Sequence, residues 1–321
     1  MHLNGIHHVT AVSAQIGRNL DFYTRVLGLR LVKKSVNQDD TSAYHLFYAD
    51  KLGSPGTDMT FFDWPRIGQE RRGTDSISAT VFRVNGEDAL RYWSIRLRKH
   101  GVTPSEIEQF DGRALLRFDD PEGQRLALMD DGGAVFEGEV WDGADVPDAY
   151  ALRGFYAAML STPHLPHLAP ILTQLLNFEA VGRRAWPAKD NTEVTVYALN
   201  GGGPGREVWV AEEPALPPAY PGAGGVHHVA FRVADVDEQR AWRQRLTSLG
   251  LPVSNLIDRY YFSSIYFRVS NGILFEIATD GPGFATDEDP ATLGQRLALP
   301  PFLEPRRAEI EAGLKPIESN A

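Results

Sequence analysis

Cysteine is absent from the 321 residues. That removes disulfides, thiolate metal sites and a cysteine nucleophile together. Histidine, aspartate and glutamate are left as the metal-binding resource. No apolar run approaches the length that spans a bilayer, and the first residues lack the basic-then-apolar order of a secretory signal. Basic residues are the minority charge, 32 Lys and Arg against 42 Asp and Glu, for a net −10. A phosphate backbone is therefore a poor partner. No Gly-x-Ser-x-Gly nucleophile elbow occurs. "GGGPGR" (Gly201–Arg206) lacks the Lys-Ser/Thr of a phosphate loop and reads as a hairpin loop. "PHLPHLAP" (Pro163–Pro170) is broken by proline, has no acidic partner, and reads as a turn before a helix. The expectation is a cytoplasmic globular protein of about two domains, with no nucleic-acid or membrane partner.

What the sequence does contain is an internal repeat. Four segments run strand, helix, then several strands. The first strands are predicted at Ile6–Ser13, Ser76–Val84, Leu152–Leu160 and Val226–Val233. Helical spacing follows at Ile16–Gly28, Gly86–Gly101, Leu168–Leu176 and Asp235–Gly250. "VHHVAFRV" (Val226–Val233) lies over "ISATVFRV" (Ile77–Val84), and Leu-Gly-Leu follows the helix in the first and fourth segments. The reading is an α+β chain of four βαβββ modules in two tandem domains, residues 5–131 and 152–281. A Gly/Asp/Pro-rich linker (132–151) joins them, and a polar tail with a short helix (282–321) ends the chain.

The opening "GIHHVTAV" returns as "GVHHVAF". Alternation along a strand points adjacent histidines to opposite faces, so one of each pair should face a given pocket. His8 shares a face with Thr10, and His228 with Ala230. The repeat makes His8 and His228 equivalent, while the second module has Ala79 there and the third has no histidine on its first strand. Glu276 sits among apolar neighbours in "NGILFEIATDG", where a buried carboxylate needs a partner or a metal. Two histidines and one carboxylate form the facial triad of non-haem Fe(II) oxygenases. Phe62, in the strand-like run within Asp58–Trp64, is expected to stand opposite Glu276, so that the first module brings a histidine and no carboxylate. Arg259 and Tyr266 lie near the Glu276 strand and are candidates for binding an anionic oxygen or moving a proton.

These stretches, with "FYTRVLGLRLVKKSVNQDD", "GSPGTDMTFFDWP" and "DRYYFSSIYFRVSNGILFEIATDGPGF", resemble the hydroquinone-type extradiol ring-cleaving dioxygenases. Those enzymes belong to the vicinal oxygen chelate (glyoxalase/bleomycin resistance/dioxygenase) superfamily. The resemblance implies paired modules forming curved, half-open barrel-like sheets. It implies Fe(II), less often Mn(II), held by His8, His228 and Glu276, with His7, Thr10, His227, Arg259 and Tyr266 around them. It implies a small aromatic substrate, O2, and cleavage of a dihydroxybenzene ring, and leaves a homo-oligomer open. Two alternatives share the fold: a glyoxalase-like metal-dependent isomerase or lyase, and a non-catalytic quinone- or drug-binding protein.

Overall fold

Each of the four long first strands is followed by a helix and then by antiparallel strands, in a computed structural model that describes residues 1–187, 192–269 and 272–318. The first module comprises β1 (Ile6–Ser13), α1 (Ile16–Asp21), β2 (Arg30–Asn37), β3 (Asp40–Ala49) and β4 (Asp58–Asp63). The second comprises β5 (Ser76–Val84), α2 (Glu87–Lys99), β6 (Glu108–Phe110), β7 (Arg113–Asp119) and β8 (Arg125–Asp130). The third comprises β9 (Phe155–Thr162), α3 (Leu165–Pro170), β10 (Glu179–Ala185), β11 (Glu193–Ala198) and β12 (Glu207–Glu212). The fourth comprises β13 (Val226–Val233), α4 (Val236–Ser248), β14 (Ile257–Asp258), β15 (Ser263–Arg268) and β16 (Leu274–Thr279). A short α5 (Arg307–Gly313) follows.

Local chemistry sets the ends of these elements. The Asp235 carboxylate caps α4 by accepting from the amides of Asp237 and Glu238. A wider π-type turn prolongs α1 through Val26, and Gly28 then reverses the chain at a φ of +70°. In the His-Pro stretch, α3 begins at Leu165, earlier than the spacing suggests, because proline is tolerated in a first helical turn. β10 escapes sequence patterning because most of its residues are exposed.

The strands form two eight-stranded sheets, ordered β14-β15-β16-β13-β1-β4-β3-β2 and β10-β11-β12-β9-β5-β8-β7-β6. Modules one and four therefore share one curved sheet, and modules two and three share the other. The sheets do not follow the two halves of the chain. Each takes one module from either half, joined along the antiparallel seams β1/β13 and β5/β9.

Glycines weld the halves. The Ile6 amide donates to the Gly205 carbonyl (2.7 Å), and the Phe155 amide donates to the Gly56 carbonyl (2.9 Å). A Cβ on Gly5 would stand 2.6 Å from the Gly205 oxygen, and one on Gly154 would stand 2.4 Å from the Gly56 oxygen. The shared Phe-Arg-Val has a matching cause. Arg83 binds Asp131, and its repeat mate Arg232 binds Asp280, each just past the end of its own module's last strand.

Every first strand also carries one extra residue against its partner. On β1, Ile6 and His8 face consecutive Phe231 and Ala230; on β13, Val226 and His228 face consecutive Ala11 and Thr10. The extra residues are His7 and His227. Ser78 and Tyr156 hold the same positions on β5 and β9. These are β-bulges, which re-aim side chains locally.

The segment after β16 is more than a polar tail. Phe284 and Leu293 pack with Val32, Phe47 and Tyr261, while Leu299, Leu303 and Ile310 cover Val36. The fully buried Lys33 on β2 reaches this segment and pairs with Asp287 (2.7 Å) and Glu288.

Candidate metal centre

The seam between β1 and β13 brings the two repeat-related histidines face to face. His8 Nε2 lies 3.3 Å from His228 Nε2. Glu276 on β16 is reached through Ala230, its register partner on β13. Its Oε2 stands 3.3 Å from His8 Nε2 and 2.9 Å from His228 Nε2. All three side chains are buried, Glu276 fully. Ser264 on β15 donates its hydroxyl to Glu276 Oε1, which leaves Oε2 turned toward the histidines. Oε2 accepts no well-formed hydrogen bond among the described residues. Among the described residues, this is the cluster whose ligand atoms lie close enough to share one ion.

Electrostatics fit such an ion. Burial penalises the Glu276 carboxylate, but attraction to His8 and its contacts with both histidines outweigh this and hold its pKa well below the usual range. His228 is pushed down, chiefly by burial. Burial also disfavours the charged form of His8, yet Glu276 and Asp58 together pull its pKa up. An ionised carboxylate facing two buried imidazole nitrogens suits a divalent cation.

The bulges change the expected role of the first histidine in each pair. Simple alternation would turn His7 and His227 away. Instead, His7 Nδ1 is 2.9 Å from His8 Nδ1, and His227 Nδ1 is 2.7 Å from His228 Nδ1. Burial, with the neighbouring histidine second, lowers both His7 and His227 to about 3, so both stay neutral.

Thr10, Arg259 and Tyr266 line one pocket with His8 and His228. Arg259 Nε donates to the Tyr266 hydroxyl (3.3 Å), and its Nη2 to Asp39 (2.9 Å). Burial, then the charge of Glu276, raises the Tyr266 pKa, so the phenol keeps its proton.

Two residues were not foreseen. His45 on β3 lines the same pocket, and its Nε2 lies 2.7 Å from Thr60 Oγ1, which donates on to Thr10 Oγ1 at 3.1 Å. With Thr60 donating toward Thr10, His45 contributes its Nε2–H and leaves Nδ1 as a bare acceptor. Burial, His8 and His228 hold its pKa well below the usual value. The alternation of His45 and Phe47 in "YHLFYA" carried this signal. The second residue is Asp58, the register partner of His8 on β4. It is buried, neither oxygen has a hydrogen-bond partner among the described residues, and burial pushes its pKa up to about 8.

The register also corrects the expected counterpart of Glu276. Glu276 pairs with Ala230 as Thr60 pairs with Thr10. Thr60, not Phe62, therefore holds the equivalent position. The first module does bring a carboxyl to this face, in Asp58, but it lies outside the His8–His228–Glu276 cluster.

Comparison with known proteins adds an independent line. The family model of the Glyoxalase/Bleomycin resistance protein/Dioxygenase superfamily matches residues 5–128 and 156–283. The chain is 46% identical over 318 residues to a Bacillus subtilis (strain 168) protein named "Putative ring-cleaving dioxygenase MhqA", covering 99% of this chain and 100% of that one. It is 32% identical to the "Chlorohydroquinone/hydroquinone 1,2-dioxygenase" of Sphingobium indicum, covering 96% of this chain and 95% of that one. A Bacillus subtilis crystal structure described as a putative dioxygenase superposes with a TM-score of 0.87 at 36% identity, covering 99% of both chains. Maize glyoxalase I shares the fold, with a TM-score of 0.60 at 11% identity, covering 86% of this chain and 92% of that one.

Proposed function

The chain belongs to the Glyoxalase/Bleomycin resistance protein/Dioxygenase superfamily, and on that premise we propose that it is a ring-cleaving dioxygenase acting on a hydroquinone or related dihydroxybenzene. The observation that carries the reading is the meeting of His8 Nε2, His228 Nε2 and Glu276 Oε2 beside a pocket that the two histidines line together with His45, Arg259 and Tyr266. In this reading His8, His228 and Glu276 hold Fe(II), with Mn(II) as the alternative, and leave positions open for substrate and O2. Such a metal supplies a Lewis acid that favours the phenolate form of a diphenol and, in the case of iron, electron exchange with O2.

The chain's own residues do the rest. Phe47, Phe62 and Phe262 wall the pocket and exclude water around an aromatic ring. His45 Nδ1 is the base that takes the hydroxyl proton, with Nε2 steadied by Thr60 and Thr10. Arg259, charged at any working pH, faces developing negative charge on oxygen, and Asp39 keeps its guanidinium in place. Tyr266 is the proton donor opposite. The two oxygens of a para-diphenol are too far apart to chelate, so one of them at a time would face the group that His8, His228 and Glu276 hold.

Oxygen-electrode traces with hydroquinone, methylhydroquinone and catechol, after anaerobic Fe(II) loading, test this. Uptake that ends with ring-opened product is expected. Absence of uptake with all three overturns the reading and favours the isomerase alternative, which needs no O2.

A further inference from the structure

The second sheet repeats the geometry of the first with the metal ligands erased. Ala157 pairs with Glu207 as His8 pairs with Asp58. Ala79 pairs with Met159 as His228 pairs with Thr10. Ala127 pairs with Val81 as Glu276 pairs with Ala230. The three positions that converge in one half-barrel are thus alanine in the other. Removing so much side-chain volume from a core leaves a void unless neighbours collapse into it. Trp209, Phe110 and Trp186 fill part of it, with Trp186 5.0 Å from Phe110 and 5.7 Å from Trp209 between ring centroids. A cavity of about 250 Å3 nevertheless persists there, with Ala79, Ala127, Met159 and Trp186 among its walls.

Its rim is charged. Three guanidinium groups border the cavity, together with the carboxylates of Asp119 and Glu213. Arg72 is engaged by Asp119 (2.7 Å) and Arg117 by Glu108 (2.8 Å). Arg125, at the start of β8, has no hydrogen bond or ion pair from its side chain among the described residues. It stands two residues before Ala127, on the same strand face. An apolar cavity of roughly 150 Å3 is enough to take up benzene. This one has room for one aromatic ring on the alanine floor and Trp186, with an anionic substituent at Arg125.

We propose that the second half-barrel is a ligand site for a monocyclic aromatic anion, separate from the metal centre. Its occupant carries a ring that replaces the missing side chains and a carboxylate or phenolate that gives Arg125 its partner. The three positions that meet at the metal centre in one half-barrel thus serve ligand binding in the other.

Isothermal titration calorimetry of the full chain with sodium benzoate tests this, with benzyl alcohol as the uncharged probe. A ligand of this size should bind with a dissociation constant on the order of 1 mM. Ala127→Leu fills the cavity and should abolish binding of both probes. Met159→Phe fills it from β9 and gives the same reading if the first variant does not fold. Arg125→Gln should weaken benzoate about tenfold, the size of a charged hydrogen bond, and leave benzyl alcohol unchanged. Failure of benzoate to bind overturns the proposal. So does binding that a folded Ala127→Leu or Met159→Phe protein retains, which would assign benzoate to the metal pocket or the surface, or benzoate binding indifferent to Arg125→Gln.

Discussion

His7 and His8 are adjacent on one strand, yet their Nδ1 atoms lie 2.9 Å apart. The bulge at His7 makes this contact, and the bulge at His227 makes its counterpart with His228 at 2.7 Å. If His8 ligates through Nε2, its Nδ1 carries the proton and donates to His7 Nδ1. His7 must then be neutral, as burial makes it. The first histidine of each pair thereby fixes the tautomer and ring angle of the second. His7→Leu and His227→Leu should each lower metal affinity by about 10–100-fold, read by chelator competition. His8→Ala should remove the metal outright. Unchanged affinity in both leucine variants would reduce the bulge histidines to packing.

Ser264 acts on the third candidate ligand. Its hydroxyl holds Glu276 Oε1, so Oε2 is the oxygen that faces the histidines. Ser264→Ala leaves that carboxylate free to rotate inside a buried site. A loss of about tenfold or more in metal affinity is expected, with Ser264→Thr retaining most of it. Equal metal content in both variants under chelator challenge would refute the positioning role.

His45 should separate catalysis from metal binding. It lines the pocket but lies outside the ligand cluster. His45→Gln should keep the metal and lose about 10²–10⁴-fold in kcat, the range for removing a general base. Because burial holds the imidazole neutral well below its usual value, wild-type activity should not fall as pH drops from 7.5 to 6.5 through loss of this base. A variant that loses metal and rate together would show that His45 supports the site rather than the reaction.

Much of this is legible in the sequence alone. The repeated His-His pairs and the apolar setting of Glu276 pointed to the three residues that now meet. Strand alternation failed only at His7 and His227, because a bulge is one extra residue in a register and leaves no compositional mark on either strand. The pairing of modules one with four, and two with three, was equally hidden. It depends on which first strands meet along a seam, and that is a long-range choice. Lys33 was opaque for a third reason. Its carboxylate partners, Asp287 and Glu288, lie more than 250 residues away in a segment whose composition looks like solvent-exposed tail.

The pH dependence of stability should carry the mark of Asp120. This carboxyl accepts from the amides of Glu122 (2.8 Å) and Gln124 (2.9 Å) and from the Tyr23 hydroxyl (3.2 Å). Burial nevertheless dominates and pushes its pKa from 3.8 up to about 6. The folded state therefore holds this proton more tightly than the unfolded state. The stabilising effect is complete below pH 3.8 and is lost as pH rises toward 6. The loss is at most about 3 kcal/mol. Asp120→Asn cannot titrate, so its stability relative to wild type should rise by up to that amount between pH 4 and 6.5 in urea denaturation. A difference that does not change with pH would refute the assignment.

Lys33 provides the test of the closing segment. Its ammonium is fully buried, pairs with Asp287 and Glu288, and sits 4.6 Å above the Tyr261 ring. The pair ties β2 of the metal-bearing sheet to residues that follow β16, beside the Phe284 contact with Phe47 and Tyr261. Lys33→Met keeps the stem but takes the buried cation from two carboxylates, leaving Asp287 the Tyr261 hydroxyl (3.0 Å) and the almost wholly buried Glu288 only the distant Arg296 (3.6 Å). Breaking a buried pair from one side costs about 3–5 kcal/mol. The combined variant Lys33→Met, Asp287→Asn, Glu288→Gln removes the stranded charge and should recover most of that cost, because the penalty lies in the unpaired carboxylates and not in the missing attraction. Urea midpoints at pH 7 decide between the two. If the triple variant is as unstable as the single one, the ion pair holds the segment by specific geometry, and charge compensation is not its role.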